Sequence, residues 1–351
     1  MKGKNMTNAI VRCFAKTLAP LGLAAFAMLA STTAQAEITT CTDQYVSVAL
    51  VPGGPAQKVY GQLCVPASAV GRTVQLLIHG LTYSHLYWNW DYQPQIYSYV
   101  KVMNAAGYAT FAIDRIGIGQ SDHPPAVAIT LETNAYVAHQ LVTGLRNGTI
   151  GGTGFARVIA VGHSYGSLTA VIESATWNDV DGVVLTGMSH VFSIIGPLIL
   201  LPTLIAVQAD PVLSQLNLPL LYLTTLAGTR QKSFYFALNA DPAVVARDEQ
   251  TKTTVTLTEV ATVLNYLLVT FGIKTHVLVV NGDYDQLFCG LLPISCSSPL
   301  SAFNHEQAFY PNAQSYEQAV VPNAGHSINL QRNAQTGFAI IRDWVDRKVG
   351  N

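Results

Sequence analysis

Five short runs of apolar and β-branched residues constrain the fold of this chain more than any other feature. They lie at 74–78, 109–113, 158–161, 183–185 and 276–280. Runs without polar alternation are typical of strands that are covered on both faces. The segments between them, such as 96–106 and 135–146, are long enough for crossover helices. The sequence therefore predicts an α/β domain with a mostly parallel central sheet flanked by helices.

A different strand pattern precedes these runs. Residues 44–51 and 58–65 alternate apolar and polar side chains, and Pro-Gly-Gly-Pro lies between them at 52–55. Alternation on both sides of a turn sequence predicts an antiparallel hairpin.

The first 36 residues have the features of a secretory signal peptide. Four basic residues, an apolar run at 18–30 and Ala34-Gln35-Ala36 follow one another in the order that signal peptidase requires. A membrane anchor is the alternative, but the apolar run is shorter than the ~20 residues that span a bilayer. We expect removal near Ala36 and a secreted or periplasmic mature protein, with no stable membrane span.

Composition excludes several classes of protein. The chain is 50% hydrophobic and 11% charged, which is not the composition of a disordered protein. Its 19 Lys and Arg residues do not outnumber its 20 Asp and Glu residues, so nucleic acid is not an expected partner.

Four of the five cysteines follow the predicted signal peptide. In an exported protein this number suggests two disulfides, with three possible pairings. Pairing Cys41 with Cys64 and Cys289 with Cys296 closes the shortest loops and is favoured. Buried free thiols are the alternative.

The strand-helix alternation stops between residues 191 and 274. Its first part, 191–207, has no charged residue and contains Pro197 and Pro202. A transmembrane segment is an alternative, but prolines interrupt a helix and the run is short. We predict an apolar helical cap inserted between core segments 37–190 and 275–351.

A possible nucleophile lies at the end of the run 158–161. The sequence Gly-His-Ser-Tyr-Gly follows at 162–166, and a helical stretch follows that. Glycines two positions on either side of Ser164 allow a tight strand-to-helix turn that exposes the hydroxyl. The motif alone is weakly specific, so its context decides.

Three further signals follow predicted strands. His-Gly-Leu lies at 79–81, Gly-Asp-Tyr-Asp at 282–285 and Gly-His at 325–326. The carboxyl ends of parallel strands meet at one sheet edge, so these segments are expected near Ser164. The order serine, aspartate, histidine differs from that of the two large serine protease classes.

With these motifs in register, the chain resembles the α/β-hydrolase superfamily over about residues 70–190 and 275–348. The sequence Asp-Arg-Ile-Gly-Ile-Gly-Gln-Ser at 114–121 is similar to a turn found after the fourth strand of many members. The resemblance implies an α/β-hydrolase fold and a mechanism that needs no metal or cofactor.

The resemblance also implies roles for individual residues. Ser164 would be the nucleophile, His326 the general base and Asp285 the residue that orients it. Backbone N–H groups of Leu81 and Tyr165 would form the oxyanion hole. Asp283 competes with Asp285, and family spacing favours Asp285.

Some aromatic residues after 81 could contact substrate. Tyr83, His85 and Trp88 would either line the pocket or pack beneath the cap, and the sequence leaves both open.

The expected function is that of a secreted serine hydrolase that cleaves small carboxylic esters with an apolar part. An aminopeptidase of proline-iminopeptidase type is one alternative, because the cap contains acidic residues that could bind an amine. These are Asp210, Asp241, Asp248, Glu249 and Glu259. A lactonase and a catalytically inactive lipid-binding protein are further alternatives. The sequence fixes neither the natural substrate nor the oligomeric state.

Overall fold

The computed structural model describes residues 38–190, 193, 195–289, 296 and 298–351 of the 351-residue chain. Residues Glu37–Asn351 form one compact unit. The predicted signal peptide lies outside the described residues.

An eight-stranded sheet forms the centre of this unit, with strand order β1-β2-β4-β3-β5-β6-β10-β11. The strands β1 and β2 are antiparallel to each other, β2 is antiparallel to β4, and the other neighbours are parallel. This arrangement confirms the predicted mostly parallel sheet. The eight strands are β1 (Thr39–Ala49), β2 (Ala56–Pro66), β3 (Thr73–Ile78), β4 (Ala109–Ile113), β5 (Arg157–His163), β6 (Gly182–Thr186), β10 (His276–Gly282) and β11 (Ser315–Val321).

The predicted hairpin is formed by β1 and β2. Cys41 lies directly opposite Cys64 in its register, and the two are joined by a disulfide. Cys289 and Cys296 form the second disulfide. Both predicted pairs are therefore present in the structure.

Helices cover both faces of the sheet. They are α1 (Pro94–Tyr97), α2 (Tyr99–Ala105), α3 (Leu131–Asn147), α4 (Tyr165–Trp177), α9 (Pro299–Glu306) and α10 (Ala334–Lys348). The predicted crossover at 96–106 is split in two, because Ser98 has extended backbone (φ −88°, ψ 107°). Its hydroxyl accepts a hydrogen bond from Lys101 N at 3.0 Å and so starts the second helix.

The insertion at 191–274 differs from the predicted helical cap. Besides short helices it contains a three-stranded antiparallel sheet in the order β7-β8-β9. Thr-rich segments such as Tyr222–Thr225 favour strands, which explains the difference. The elements are α5 (Ile195–Leu200), β7 (Leu204–Ala206), β8 (Tyr222–Thr225), α6 (Arg230–Phe234), α7 (Pro242–Thr251), β9 (Val255–Thr256) and α8 (Leu257–Ala261).

Within the part of the chain that the structure describes, no helix has the length and apolar character needed to cross a bilayer. The uncharged run near residue 200 forms α5, a short 3₁₀ helix and β7 instead.

Burial of the central strands fixes where polar chemistry can occur. Every residue of β3, β4 and β6 is buried, so polar side chains reach open space only beyond the strand ends. The segments that follow β3, β5, β6 and β10 meet at the carboxyl edge of the parallel strands, and the insertion packs there.

Candidate active site

Ser164 lies on the turn between β5 and α4 in a conformation that non-glycine residues rarely adopt, with φ 53° and ψ −120°. Its N–H donates to Thr186 O at 2.8 Å, and its carbonyl accepts from Ser167 N at 2.8 Å. Such backbone costs roughly 1–3 kcal/mol and persists only where its surroundings impose it. Here the two flanking hydrogen bonds fix the turn to β6 and to α4.

The two glycines of the motif are required by close packing. A Cβ atom on Gly166 would collide with the carbonyl oxygen of Ile78, at the end of β3. A Cβ atom on Gly162 would collide with the backbone of Ser167. The turn therefore fits against the sheet only with glycine at both positions.

Asp285 and His326 form a buried pair. The Nδ1 atom of His326 lies 2.9 Å from Asp285 Oδ2. The other carboxylate oxygen of Asp285 accepts hydrogen bonds from Leu287 N at 3.0 Å and Phe288 N at 3.3 Å. These bonds hold the carboxylate in a fixed orientation toward the imidazole.

Asp283, the competing acid, contacts the histidine loop instead. Its Oδ1 atom accepts from Ala324 N at 3.1 Å, two residues before His326. The structure therefore places Asp285, and not Asp283, against the imidazole.

In the part of the chain that the structure describes, Ser164 and His326 lie at the same sheet edge but form no hydrogen bond with each other. The imidazole of His163, next to Ser164, lies 4.8 Å from that of His326. Gly187 directly follows Thr186, the residue that accepts the hydrogen bond from Ser164 N. A Cβ atom on Gly187 would lie 3.1 Å from His326 Cε1. In unliganded enzymes such serine–histidine bonds are often long and tighten when substrate binds.

The segment 79–81 passes beside the serine. A Cβ atom on Gly80 would lie 3.0 Å from Ser164 Cβ. Leu81, Ser164 and Tyr165 line the same cavity. Tyr165 is the first residue of α4, so its N–H has no acceptor within the helix. Two backbone N–H groups of the type that binds an oxyanion are thus on segments next to the hydroxyl.

Arg115 holds the 79–81 segment in place. Its Nε donates to His79 O at 3.1 Å, and its backbone N–H donates to His79 Nε2 at 3.0 Å. Burial, followed by the charge of Arg115, lowers the pKa of His79 to about 3. His79 is therefore neutral, and its Nε2 can accept. The guanidinium also forms a buried ion pair with Glu259 of α8.

A second cationic side chain, Arg230 of α6, supports Thr82, the residue that follows the 79–81 segment. Thr82 has φ 58°, and its hydroxyl accepts from Arg230 Nη1 at 2.8 Å. Arg230 also pairs with Asp248 at 2.8 Å, and both side chains are buried. Sequence reasoning missed Arg230 and Glu259 as structural supports.

A cavity of about 420 Å³ opens in front of Ser164. Apart from Ser164, Tyr165 and Ser193, its walls are apolar. They are formed by Leu81, Leu168, Gly196, Pro197, Leu200, Leu201, Val260, Val263, Leu264, Leu287 and Phe288.

The three aromatic residues proposed for this pocket lie elsewhere. Trp88 is fully buried and packs edge-on against Tyr99 at 5.3 Å. The hydroxyl of Tyr83 lies 2.7 Å from that of Ser327, and His85 Nδ1 lies 2.7 Å from Asp114 Oδ1. Of the two possibilities that the sequence left open, lining the pocket is therefore wrong, because internal partners already occupy their polar atoms or rings.

His163 is a packing residue. Its ring stacks on Tyr87 at 4.2 Å and is fully buried. Burial, followed by the charge on His326, lowers its pKa well below the usual value. Its Nδ1 atom lies 3.1 Å from Thr186 Oγ1, which itself donates to Gly162 O. The neutral ring therefore carries its proton on Nδ1.

The sequence profile of the Alpha/beta hydrolase family matches residues 75–336, which include every segment of this site. The chain belongs to that family. No curated protein sequence matches this hydrolase.

Solved structures share the hydrolase fold at low sequence identity. A thermophilic esterase from Thermogutta terrifontis is 16% identical with a TM-score of 0.55, covering 88% of this chain and 100% of its own. The α/β hydrolase GrgF from Penicillium sp. sh18 is 15% identical with a TM-score of 0.57 and the same coverage. The thioesterase domain from the curacin biosynthetic pathway is 15% identical with a TM-score of 0.53, covering 87% and 99%.

Replacing Gly166 should disrupt the hydrolase fold. We expect Gly166→Ala to lower the free energy of unfolding by at least about 3 kcal/mol, because the added methyl group meets backbone that cannot move aside. Gly337→Ala is the matched control, since its Cβ would meet only side-chain atoms at ordinary contact distances, Val321 Cγ2 at 3.5 Å and Ile328 Cδ1 at 3.7 Å. It should stabilise α10 by up to about 1 kcal/mol. Urea denaturation measures both; equal stabilities would contradict the packing argument.

The buried neutral histidines should make the hydrolase sensitive to acid. The unfolded chain protonates His79 and His163 below about pH 6.5, whereas the folded chain resists this, so stability should fall as pH decreases toward 4. His163→Phe keeps a ring against Tyr87 but removes one titrating group. For each pH unit in this range, the unfolding free energy of this variant should fall by up to about 1.4 kcal/mol less than that of the wild type. Denaturation at pH 7, 6 and 5 tests this, and parallel pH dependences would contradict it.

Proposed function

We propose that this protein is an exported serine hydrolase that cleaves carboxylic esters with an apolar acyl or alcohol part. One observation carries the proposal. Ser164 lies on a strained turn at the wall of an apolar cavity, and the buried Asp285–His326 pair, 2.9 Å apart, lies at the same sheet edge.

In the proposed reaction Ser164 Oγ attacks the ester carbonyl carbon, and its proton passes to Nε2 of His326. Because Nδ1 of His326 contacts a carboxylate, it carries the ring proton and leaves Nε2 as the base. Collapse of the tetrahedral intermediate breaks the bond to the alcohol, which takes the proton from His326. Water then hydrolyses the acyl-enzyme with the same histidine as base.

The developing oxyanion would bind the N–H groups of Leu81 and Tyr165. Each such donor contributes roughly 3–4 kcal/mol to transition-state stabilisation where the geometry is fixed in advance. Arg115 supports this role, since it binds the carbonyl oxygen of His79 and so fixes the segment that carries Leu81.

The cavity supports apolar substrates. Its walls are mostly aliphatic, and several of its leucines extend from the cavity to the surface. Leu201 is 49% exposed and Leu264 is 51% exposed, while both also line the cavity. An apolar chain could thus pass from solvent to Ser164 along a continuous apolar surface.

The contacts of the cap acids argue against an aminopeptidase. Asp248 pairs with Arg230, Glu259 with Arg115 and Asp210 with Lys252. None of the five acids is among the described residues that line the cavity. A substrate amine would find no unpaired carboxylate there, which favours esters.

Export is supported by two features. Residues 1–36 have the signal-peptide pattern, and two disulfides bond all four cysteines after it. Disulfides persist in the periplasm and outside the cell but are rare in the cytosol.

Removing the hydroxyl of Ser164 should abolish turnover. We expect Ser164→Ala to lower kcat for p-nitrophenyl butyrate by at least ~10⁴-fold, since no other group can form the acyl-enzyme. Fluorophosphonate should label the wild type and not this variant. Ser47→Ala, at an exposed position of β1, is the control and should behave as wild type. Wild-type protein that is folded but neither labelled nor active would indicate a binding protein instead.

The apolar cavity should select for chain length. Each methylene that it buries contributes ~0.8 kcal/mol, so kcat/KM should rise about fourfold per methylene from acetate until the cavity is full. Val263→Thr, which places a hydroxyl in the wall, should reduce the octanoate-to-acetate ratio by about fivefold (~1 kcal/mol). Val269→Thr, outside the cavity lining, should leave the ratio unchanged. The measurement is a series of p-nitrophenyl esters; a flat series would argue against apolar substrates.

A further inference from the structure

Three side chains that the proposed reaction does not use meet between α3 and α4. His139 lies on α3, Glu173 on α4, and Asp179 follows the end of α4. One ligand atom from each lies within 4.8 Å of the others. An imidazole and two carboxylates are a donor set that divalent metals bind.

Local structure holds these residues together. Asn178 ends α4 in the left-handed conformation, with φ 51°, and so turns Asp179 back toward the helix pair. Asp179 Oδ2 lies 2.7 Å from His139 Nδ1. The imidazole stacks on Trp177 with the ring centres 4.5 Å apart, which fixes its plane. His139 and Asp179 are each 25% exposed, so the cluster can be reached from solvent.

Glu173 is the unusual member of the cluster. It is fully buried, and neither its Oε1 atom nor Oδ1 of Asp179 accepts a hydrogen bond from a neighbouring N–H or O–H group. The other Glu173 oxygen accepts only a weak bond from Ser174 Oγ at 3.3 Å. A buried carboxylate oxygen without a donor is costly, so something must compensate it.

Neighbouring cations do not fill this role. Arg146 donates to the backbone carbonyl of Asp179 at 2.9 and 2.6 Å, and its ion pair is with Asp181. Within the described ranges, no Lys or Arg forms an ion pair with Glu173 or the Asp179 side chain. Burial and the neighbouring Asp179 raise the pKa of Glu173 well above the usual value. Without a metal ion, the two carboxylates can therefore share a proton.

We propose that His139, Glu173 and Asp179 bind one Zn²⁺ ion, with water completing its coordination. Zinc suits one nitrogen and two carboxylate oxygens at about 2.0–2.2 Å, whereas calcium and magnesium prefer oxygen ligands alone. Zinc compensates both unpartnered oxygens. In tetrahedral coordination, ligand atoms lie about 3.4 Å apart, so His139 and Asp179 separate slightly on binding.

The site has a structural role. It joins α3 to α4, the helix that begins directly after Ser164. Zinc therefore braces the helix behind the reactive turn and contributes to stability without touching substrate.

The test is calorimetric titration of the chelator-treated, disulfide-bonded mature protein with Zn²⁺ alone and with Ca²⁺ alone. We expect one equivalent of zinc to bind, at least tenfold tighter than calcium, and to raise Tm. Glu173→Gln, Asp179→Asn and His139→Gln should each weaken zinc binding by at least tenfold. Asp181→Asn, a neighbouring acid that pairs with Arg146, is the control and should bind zinc as wild type does. Circular dichroism confirms folding, and the two partly exposed ligands provide variants should Glu173→Gln fail to fold.

Three outcomes would overturn the site. The first is folded wild type that binds no zinc, which would leave the shared proton as the explanation of the buried carboxylates. The second is zinc binding that the three ligand variants do not weaken. The third is calcium binding tighter than zinc binding.

Discussion

The close approach of the β5–α4 turn to the end of β3 is the constraint on which the rest of the site depends. Gly166 packs against the carbonyl of Ile78, and Gly80 passes beside Ser164. This contact brings a hydroxyl and two candidate oxyanion donors to one point, using backbone alone. Because backbone is rigid, the arrangement is formed before any substrate arrives, which is the condition for electrostatic catalysis.

Much of this geometry was predictable because it depends on local signals. Buried parallel strands are recognisable in a sequence as continuous apolar runs, and the segments after them must meet at one edge of the sheet. Glycine spacing located the turn of Ser164, and the preference for short loops paired Cys41 with Cys64, which lie opposite each other in the hairpin. The pairing of Asp285 with His326 required family spacing, since Asp283 lies at the same edge and contacts the same loop.

The remaining features of the site depend on tertiary contacts between separate parts of the chain, which cannot be predicted from a single sequence. Tyr83 and Trp88 looked like pocket residues because aromatic side chains serve both as ligand contacts and as core, and only packing decides between them. The cap acids looked like a possible amine site because their partners are not their neighbours in sequence: Arg115 lies 144 residues from Glu259, and Arg230 lies 18 residues from Asp248. The small antiparallel sheet was not predicted, because its Thr-rich segments lie within an insertion whose apolar content suggested helices.

A buried ion pair and a buried hydrogen bond tie the insertion to the core and limit how a substrate can enter. Arg115 belongs to the core and Glu259 to the insertion, and Arg230 of the insertion reaches Thr82 of the core. Swinging the whole insertion outward would separate Arg115 from Glu259, at a cost of roughly 3–5 kcal/mol, and would also break the hydrogen bond between Arg230 and Thr82. A substrate that enters between Leu201 and Leu264, the half-exposed leucines of the cavity wall, needs only side-chain rotation and avoids that cost. The insertion thus stays fixed over the cavity, and substrate enters between the leucines at its surface.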